Sequence, residues 1–308
     1  MQPRQASGIA LLAALCWGAG NVAQKTILDH LDPWSAAGLT GMIGALVLVP
    51  LMRRERHRAP VAPRGASWPL MLFITLLFAL ASVLLQVGYG LTTVTNGGFL
   101  VNTSAILTPV IGWLWLRQRP VLAIWPACGV TLAGVYLMAG ANWVGLSPGD
   151  LLALLSALVF AVWTLAVGVH VMRHRRPVLL TVVQLAGSGV ICAGVGLLRH
   201  GPPPIGALTA ALPEIIYLGV VAKGVAYLLM VTAQQHLSAT VVGILVSAEA
   251  VFGALMASFL LDETLTPLRG AGAFLILTGV IIAARIPPAP LPALQDAATD
   301  RWSRRIRG

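Results

Sequence analysis

Ten separate runs in this chain of 308 residues are apolar over about 20 residues each, enough to cross the roughly 30 Å of hydrocarbon in a bilayer as helix. They fall at 7–28, 33–52, 68–90, 96–116 and 120–140, and again at 149–171, 178–198, 212–234, 239–261 and 267–285. The short connections leave no space for a sizeable soluble domain. Composition agrees: 57% of residues are hydrophobic and 10% charged, where a soluble domain carries roughly 25% charged residues. The expected class is therefore an all-α, multi-pass membrane protein. Arg4 ahead of the first run imitates a signal peptide, but the run exceeds the 7 to 15 residues of a signal core and is followed by Asn21, Gln24 and Lys25, so a retained first helix is expected.

The net charge of +10 would suit a nucleic-acid binder if it were spread over one surface. Sorted by alternate loops, it has another meaning. With the N-terminus on the cytoplasmic side, Arg4, Arg53, Arg54, Arg56, Arg58, Arg64, Arg117, Arg119, Arg173, Arg175, Arg176, Arg285, Arg301, Arg304, Arg305 and Arg307 fall inside, against Lys25, Arg199 and Arg269 outside. The positive-inside rule and contact with anionic headgroups account for this asymmetry, place both termini in the cytoplasm, and exclude a need for nucleic acid. The tail "RWSRRIRG", after the Pro-rich "IPPAPLPA", is a surface-binding segment on this reading. Cys16, Cys128 and Cys192 lie within spans without metal-ligand spacing, and no cofactor or metal is expected.

The two halves of the chain resemble each other. "LLAALCWG" at 11–18 recurs loosely as "LLALLSAL" at 151–158, "LAGVYLMA" at 132–139 as "LTGVIIAA" at 277–284, and "TSAILTPVIGWLWL" at 103–116 parallels "ILVSAEAVFGALMA" at 244–257. Each pair is five helices apart, so the second copy enters the membrane from the opposite side. The expectation is ten transmembrane helices in two inverted five-helix repeats: 1–145, then 146–286, followed by a basic cytoplasmic tail at 287–308.

The "LLDETLT" turn and the following "GAGAFLILTGVIIA", behind a Pro or Glu-small pair in an apolar helix, resemble the EamA repeat of the drug/metabolite transporter superfamily over nearly the whole chain, twice. The resemblance implies two inverted bundles around a central cavity lined mainly by spans 1, 3, 4, 6, 8 and 9, and export of small metabolites by alternating access. Within the superfamily the chain looks like bacterial inner-membrane amino-acid exporters, including the branch that handles aromatic amino acids. It departs from the pattern at "LRQRP", where the first turn is shorter than its partner and Glu263 has no counterpart.

Glu249 lies in the midst of an apolar run, where an ionised carboxylate costs about 2.5–3.5 kcal/mol on insertion scales. The other charge deep in a span is Lys223. If the hairpin between spans 8 and 9 turns near Leu237, the two lie about 21 and 18 Å from it, at nearly one depth on consecutive helices. Two readings stay open: a structural ion pair, or charges that line a transport cavity and meet substrate. An amino-acid zwitterion is the complement of both. Helical spacing adds Tyr227 and Gln234 on the face of Lys223; Trp17, Asn21, Gln24 and Lys25 on span 1; Ser82, Gln86 and Tyr89 on span 3; and Ser156, Phe160 and Trp163 on span 6. Trp163 is mid-span, away from the interfacial belt that suits Trp113, Trp115, Trp125 and Trp143. On span 4, Pro109 frees the carbonyl of Ala105 on the face of Asn102, giving a helix kink that either lines the cavity or simply bends the span. Ser188, Cys192 and Gly196 suit close helix packing.

The sequence shows no zinc-ligand His pair in a span, no pair of membrane aspartates and no Gly-x-Ser-x-Gly elbow, so an intramembrane enzyme is the weaker alternative. The expected function is a non-enzymatic transporter of the bacterial inner membrane. It exports or exchanges amino acids and related small metabolites around a midplane cavity, as a monomer or simple homo-oligomer. A multidrug or other metabolite exporter of the same fold is the alternative.

Overall fold

The computed structural model describes residues 1–58, 68–116, 120–138, 147–260 and 266–286. Arg64, Arg117, Arg119, Trp143, Glu263 and the basic tail, together with the boundary expected at 145/146, lie outside the described residues. Among the described residues the regular structure is helical throughout. Nine helical stretches are long and apolar enough to cross a membrane, and a tenth apolar helix, Ile124–Met138, is shorter at 15 residues.

The elements are α1 (Pro3–Thr26), α2 (Pro33–Arg58), α3 (Trp68–Leu91), α4 (Val94–Val101), α5 (Ser104–Leu116), α6 (Ile124–Met138), α7 (Pro148–His174), α8 (Pro177–His200), α9 (Ile205–Ala210), α10 (Leu212–Ile216), α11 (Tyr227–Ala233), α12 (Ala239–Val246), α13 (Glu249–Leu260) and α14 (Pro267–Ala284). Local chemistry sets several of their ends. Ser147 and Asp150 form a capping box at α7 with Pro148 in the first turn, and Thr93, Ser238 and Thr266 cap α4, α12 and α14 through their hydroxyls. Arg175, at φ 49°, ends α7 in the left-handed region, and Gly201 at φ 76° ends α8.

Three irregularities position the site. The fourth span is broken at Asn102–Thr103 between α4 and α5, and the ninth at Ser247–Ala248 between α12 and α13. Both breaks are tight turns of i→i+3 bonds, such as Ala105 N to Asn102 O at 3.0 Å and Ala250 N to Ser247 O at 3.1 Å. The hydroxyls of Thr103 and Ser247 donate back to Leu100 O and Ile244 O, at 2.7 and 2.6 Å, adding a second bond to carbonyls that already accept from the same residues' amides. The break in span 4 therefore lies upstream of Pro109, which sits within α5, and the proline-free break in span 9 uses the same hydroxyl device. The third irregularity is a π-helical stretch, Tyr217–Ala226, inside the eighth span.

Helices pack in related pairs across the two halves: α2 against α8, α6 against α14, α3 against α7, and α1 against the π stretch and α11. The two breaks face each other through α5 and α12. Gly134 and Gly272 bring α6 and α14 backbone to backbone, since a Cβ on either would lie 2.6 Å from the other's carbonyl oxygen. This pair stands to one side of the cavity and lines none of it.

Candidate functional site

A cavity lies between α1, α2, α3, the broken spans, α7 and the π stretch with α11. Of the nine cavity residues expected from the sequence, Trp17, Gln86, Asn102, Trp163, Lys223, Tyr227 and Glu249 line it. So do Gln24, Ser82 and Phe160. Asn21 instead lines a smaller cavity between α1, α4, α6 and α13, and Tyr89 is fully buried behind the wall with its hydroxyl on Asn21 Oδ1 at 3.0 Å. Ser156 is also buried, donating to Ala81 O, and Gln234 turns to Thr164 O at 3.4 Å.

Of the two readings left open for Lys223 and Glu249, the geometry shows no ion pair between them and places both on the cavity lining. Both are half-buried on the cavity wall, and Lys223 Nζ donates to Ala37 O of α2 at 3.0 Å instead of meeting the Glu249 carboxylate. The reason lies in the eighth span. Its π stretch winds with i→i+5 bonds, so a face extrapolated at 3.6 residues per turn does not hold across it. Lys223 is rotated towards α2, and Gln234, which was expected on the same face, points away from the cavity.

Glu249 is the first residue of α13, just past the break, where the first helical turn favours a negative charge. Asn102 and Ser104 stand at the facing break in span 4 and also line the cavity, with Asn102 Nδ2 donating to Gly98 O at 2.6 Å. Two half-helix junctions thus meet at the cavity, an arrangement tolerated at membrane depth because the irregular backbone is enclosed by protein.

Aromatic side chains form part of the cavity lining. Tyr227 packs edge-on against Trp17 and Phe78, each at 4.8 Å between ring centroids, and against Trp163 at 5.6 Å. Trp17 Nε1 donates to Ala222 O in the π stretch at 2.8 Å, and Trp163 Nε1 to Gln184 Oε1 at 3.0 Å, so both indoles are fixed at their polar edges. Trp113 and Trp125 contact each other instead, at 6.1 Å.

Sequence reasoning missed Ala36 and Thr40 of α2, a span absent from the expected lining, and Thr108, Thr164 and Met230. Small hydroxyls and a methionine in apolar helices carry no signal that separates cavity from packing. Ser104 had one: it follows the polar pair Asn102–Thr103 ahead of a proline. Cys16, Cys128 and Cys192 are unpaired. Among the described residues, no group of three or more His, Cys, Asp or Glu side chains is arranged to hold a metal ion.

The fold has a close counterpart in a solved crystal structure that superposes with a TM-score of 0.74 over 91% of this chain and 97% of that one, at 18% identity. Among relatives, an uncharacterized transporter of Archaeoglobus fulgidus is 29% identical over 277 residues, 89% of this chain and 84% of its own length. The uncharacterized transporter YwfM of Bacillus subtilis is 24% identical over 90% of this chain and 93% of its own length, and the inner membrane protein YtfF of Escherichia coli is 25% identical over 91% and 94%. The model of the EamA-like transporter family matches twice, at residues 6–140 and 147–285, one match on each side of the cavity's pairing of halves. A membrane-spanning bundle built from two such copies, with a polar and aromatic cavity between them, belongs to the EamA-like transporter family.

Proposed function

We propose that this protein exports or exchanges amino acids and related small metabolites across the bacterial inner membrane, by alternating access of two inverted five-helix halves around the cavity. The observation that carries the reading is a pair of opposite charges that line one cavity without pairing with each other: Lys223 rests on the Ala37 carbonyl, and Glu249 opens α13 at the break of span 9. A ligand that brings both a carboxylate and an ammonium supplies what each lacks, and charge-assisted hydrogen bonds are the strong ones in such a setting. The aromatic part of the lining, with Trp17, Trp163 and Tyr227, suits an apolar or aromatic side chain. The packing of α2 on α8 and of α6 on α14 supports a two-fold relation between inverted halves, and the arginine distribution supports cytoplasmic termini.

Radiolabelled counterflow in proteoliposomes tests this reading, with phenylalanine, methionine and threonine set against a sugar and a lipophilic cation. Exchange of the amino acids alone, lost in Glu249→Gln, is expected. Exchange of the lipophilic cation without amino acids would reassign the protein as a multidrug exporter of the same fold, and unchanged amino-acid exchange in Glu249→Gln would leave that carboxylate a structural group.

A further inference from the structure

Two of the six histidines of the chain, His170 and His174, stand four residues apart at the end of α7. On a helix that spacing puts both side chains on one face, one turn from each other. Their rings are in contact, with centroids 4.7 Å apart at an interplanar angle of 39°. Neither residue lines the cavity. They straddle the end of the expected span at 149–171, so a search for histidine pairs within spans passes over them.

The two rings differ in burial. His170 is 2% exposed and its Nδ1 is buried without a hydrogen-bond partner, while His174 is half-buried. A histidine nitrogen is met by hydrogen-bonding groups or by a metal ion, and a buried polar atom that has neither is costly. The turn that carries the pair is fixed in shape. Arg175 N donates to Val171 O at 2.9 Å and Arg175 leaves the helix in the left-handed region, so the last turn keeps its register to the end. The C-terminal end of a helix favours a positive charge, and the side chains of Arg173 and Arg175 are exposed, where water and counter-ions screen them.

We propose that His170 and His174 form a binding site for a divalent transition-metal ion of the zinc, copper or nickel class, each imidazole giving one nitrogen. Imidazole suits these ions, whereas magnesium and calcium take oxygen ligands. Two imidazoles on one zinc, each bound through nitrogen at about 2.0–2.1 Å, hold their ring centroids about 4.5–5 Å apart. The 4.7 Å between His170 and His174 falls in that range. The torsion that turns a histidine ring is broad, so the nitrogens can be aimed at one ion while the helix stays as it is. The described residues add no third His, Cys, Asp or Glu to the pair, so water completes the coordination. An ion there fastens the last turn of α7 close to α12, since a Cβ on Gly168 would lie 3.3 Å from that of Ala239. Binding to the folded chain stabilises it by mass action, which gives a readout that needs no transport substrate.

The test uses the full chain, freed of any affinity tag, in detergent. Thermal unfolding is followed with zinc chloride or magnesium chloride added. A saturable rise in Tm with zinc, absent with magnesium, is expected for the parent. His174→Gln removes one ligand at a half-buried position and is expected to fold as the parent does. It should need about 10- to 100-fold more zinc for the same rise, no less than the loss of a residue that merely orients a metal ligand costs. His174→Cys returns a ligand and is expected to return the response. Electron paramagnetic resonance of bound copper(II) identifies the donors, with coupling to two imidazole nitrogens expected in the parent and to one in His174→Gln; the parent spectrum decides alone should the variants fail to fold. No rise in the parent, or copper without the two-nitrogen coupling, would overturn the site. So would an equal rise in the parent and His174→Gln, which would assign the zinc to His30, His57, His200 or His236 instead.

Discussion

Lys223 shows how a charge deep in a span can be stable without a counter-ion. Its ammonium sits on the Ala37 carbonyl at 3.0 Å and the residue lines the cavity, so a backbone acceptor takes the place of a carboxylate. Ala37 keeps its place in α2 whether or not the lysine is present. Lys223→Met is therefore expected to fold as the parent does, while weakening binding of an amino acid by about 10- to 100-fold, the worth of one charge-assisted hydrogen bond of about 1.5–3 kcal/mol. The corresponding decarboxylated amine is expected to bind parent and variant alike; isothermal titration with both ligands makes the comparison, and equal losses for both would remove Lys223 as the carboxylate partner. Both charges could be found in the sequence, because a lysine or glutamate inside an apolar run stands out. Their separation could not, since two residues at one depth can face different neighbours. Asn21 and Tyr89 illustrate the same limit: their spacing put them on cavity-facing stripes, yet each lies one layer behind the wall.

At the level of elements, the apolar runs marked nearly every span, because membrane length and hydropathy leave few alternatives. The departures arise where tertiary contacts override local pattern. Pro109 signalled a disturbance in span 4, but the turn settled at Asn102–Thr103, where the Asn102 side-chain amide donates to the Gly98 carbonyl in place of the i→i+4 bond that the turn gives up. The matching turn at Ser247–Ala248 has no proline to announce it, and the π stretch of span 8 has no local signature at all. The pair α6 and α14 offers a test of which elements serve the cavity. Gly134→Val forces these helices apart at a backbone contact, an overpacking cost of about 1–3 kcal/mol. Thermal denaturation in detergent is expected to show the loss of stability, while ligand affinity in the folded fraction stays at the parent value because no residue of α6 or α14 lines the cavity. A comparable loss of affinity would mean that this peripheral pair sets the cavity's shape.

Considered as a whole, the molecule ties its two halves at both ends. Beside the Thr92–Asp150 bond, Thr26 Oγ1 donates to Glu214 Oε1 at 3.2 Å at the first end. At the other end of α2, the Glu55 carboxylate accepts from the amides of Val178 and Leu179 at 3.1 and 2.8 Å, holding the start of α8 as a helix N-terminus holds an anion. Rocking of rigid halves requires these ties to break in turn, because opening one end compresses the other. Glu55→Ala and Thr92→Val are therefore expected to favour opposite openings, seen as longer spin-label distances between α2 and α8 at the Glu55 end in the first variant and between α3 and α7 at the Thr92 end in the second. The double variant distinguishes rocking from simple loosening. Under rocking the two openings exclude each other, so liposomes carrying Glu55→Ala/Thr92→Val stay sealed to a small uncharged solute while both distance distributions broaden. A leak in the double variant alone would mean that the ends open independently, and that the halves bend instead of turning as units about the cavity.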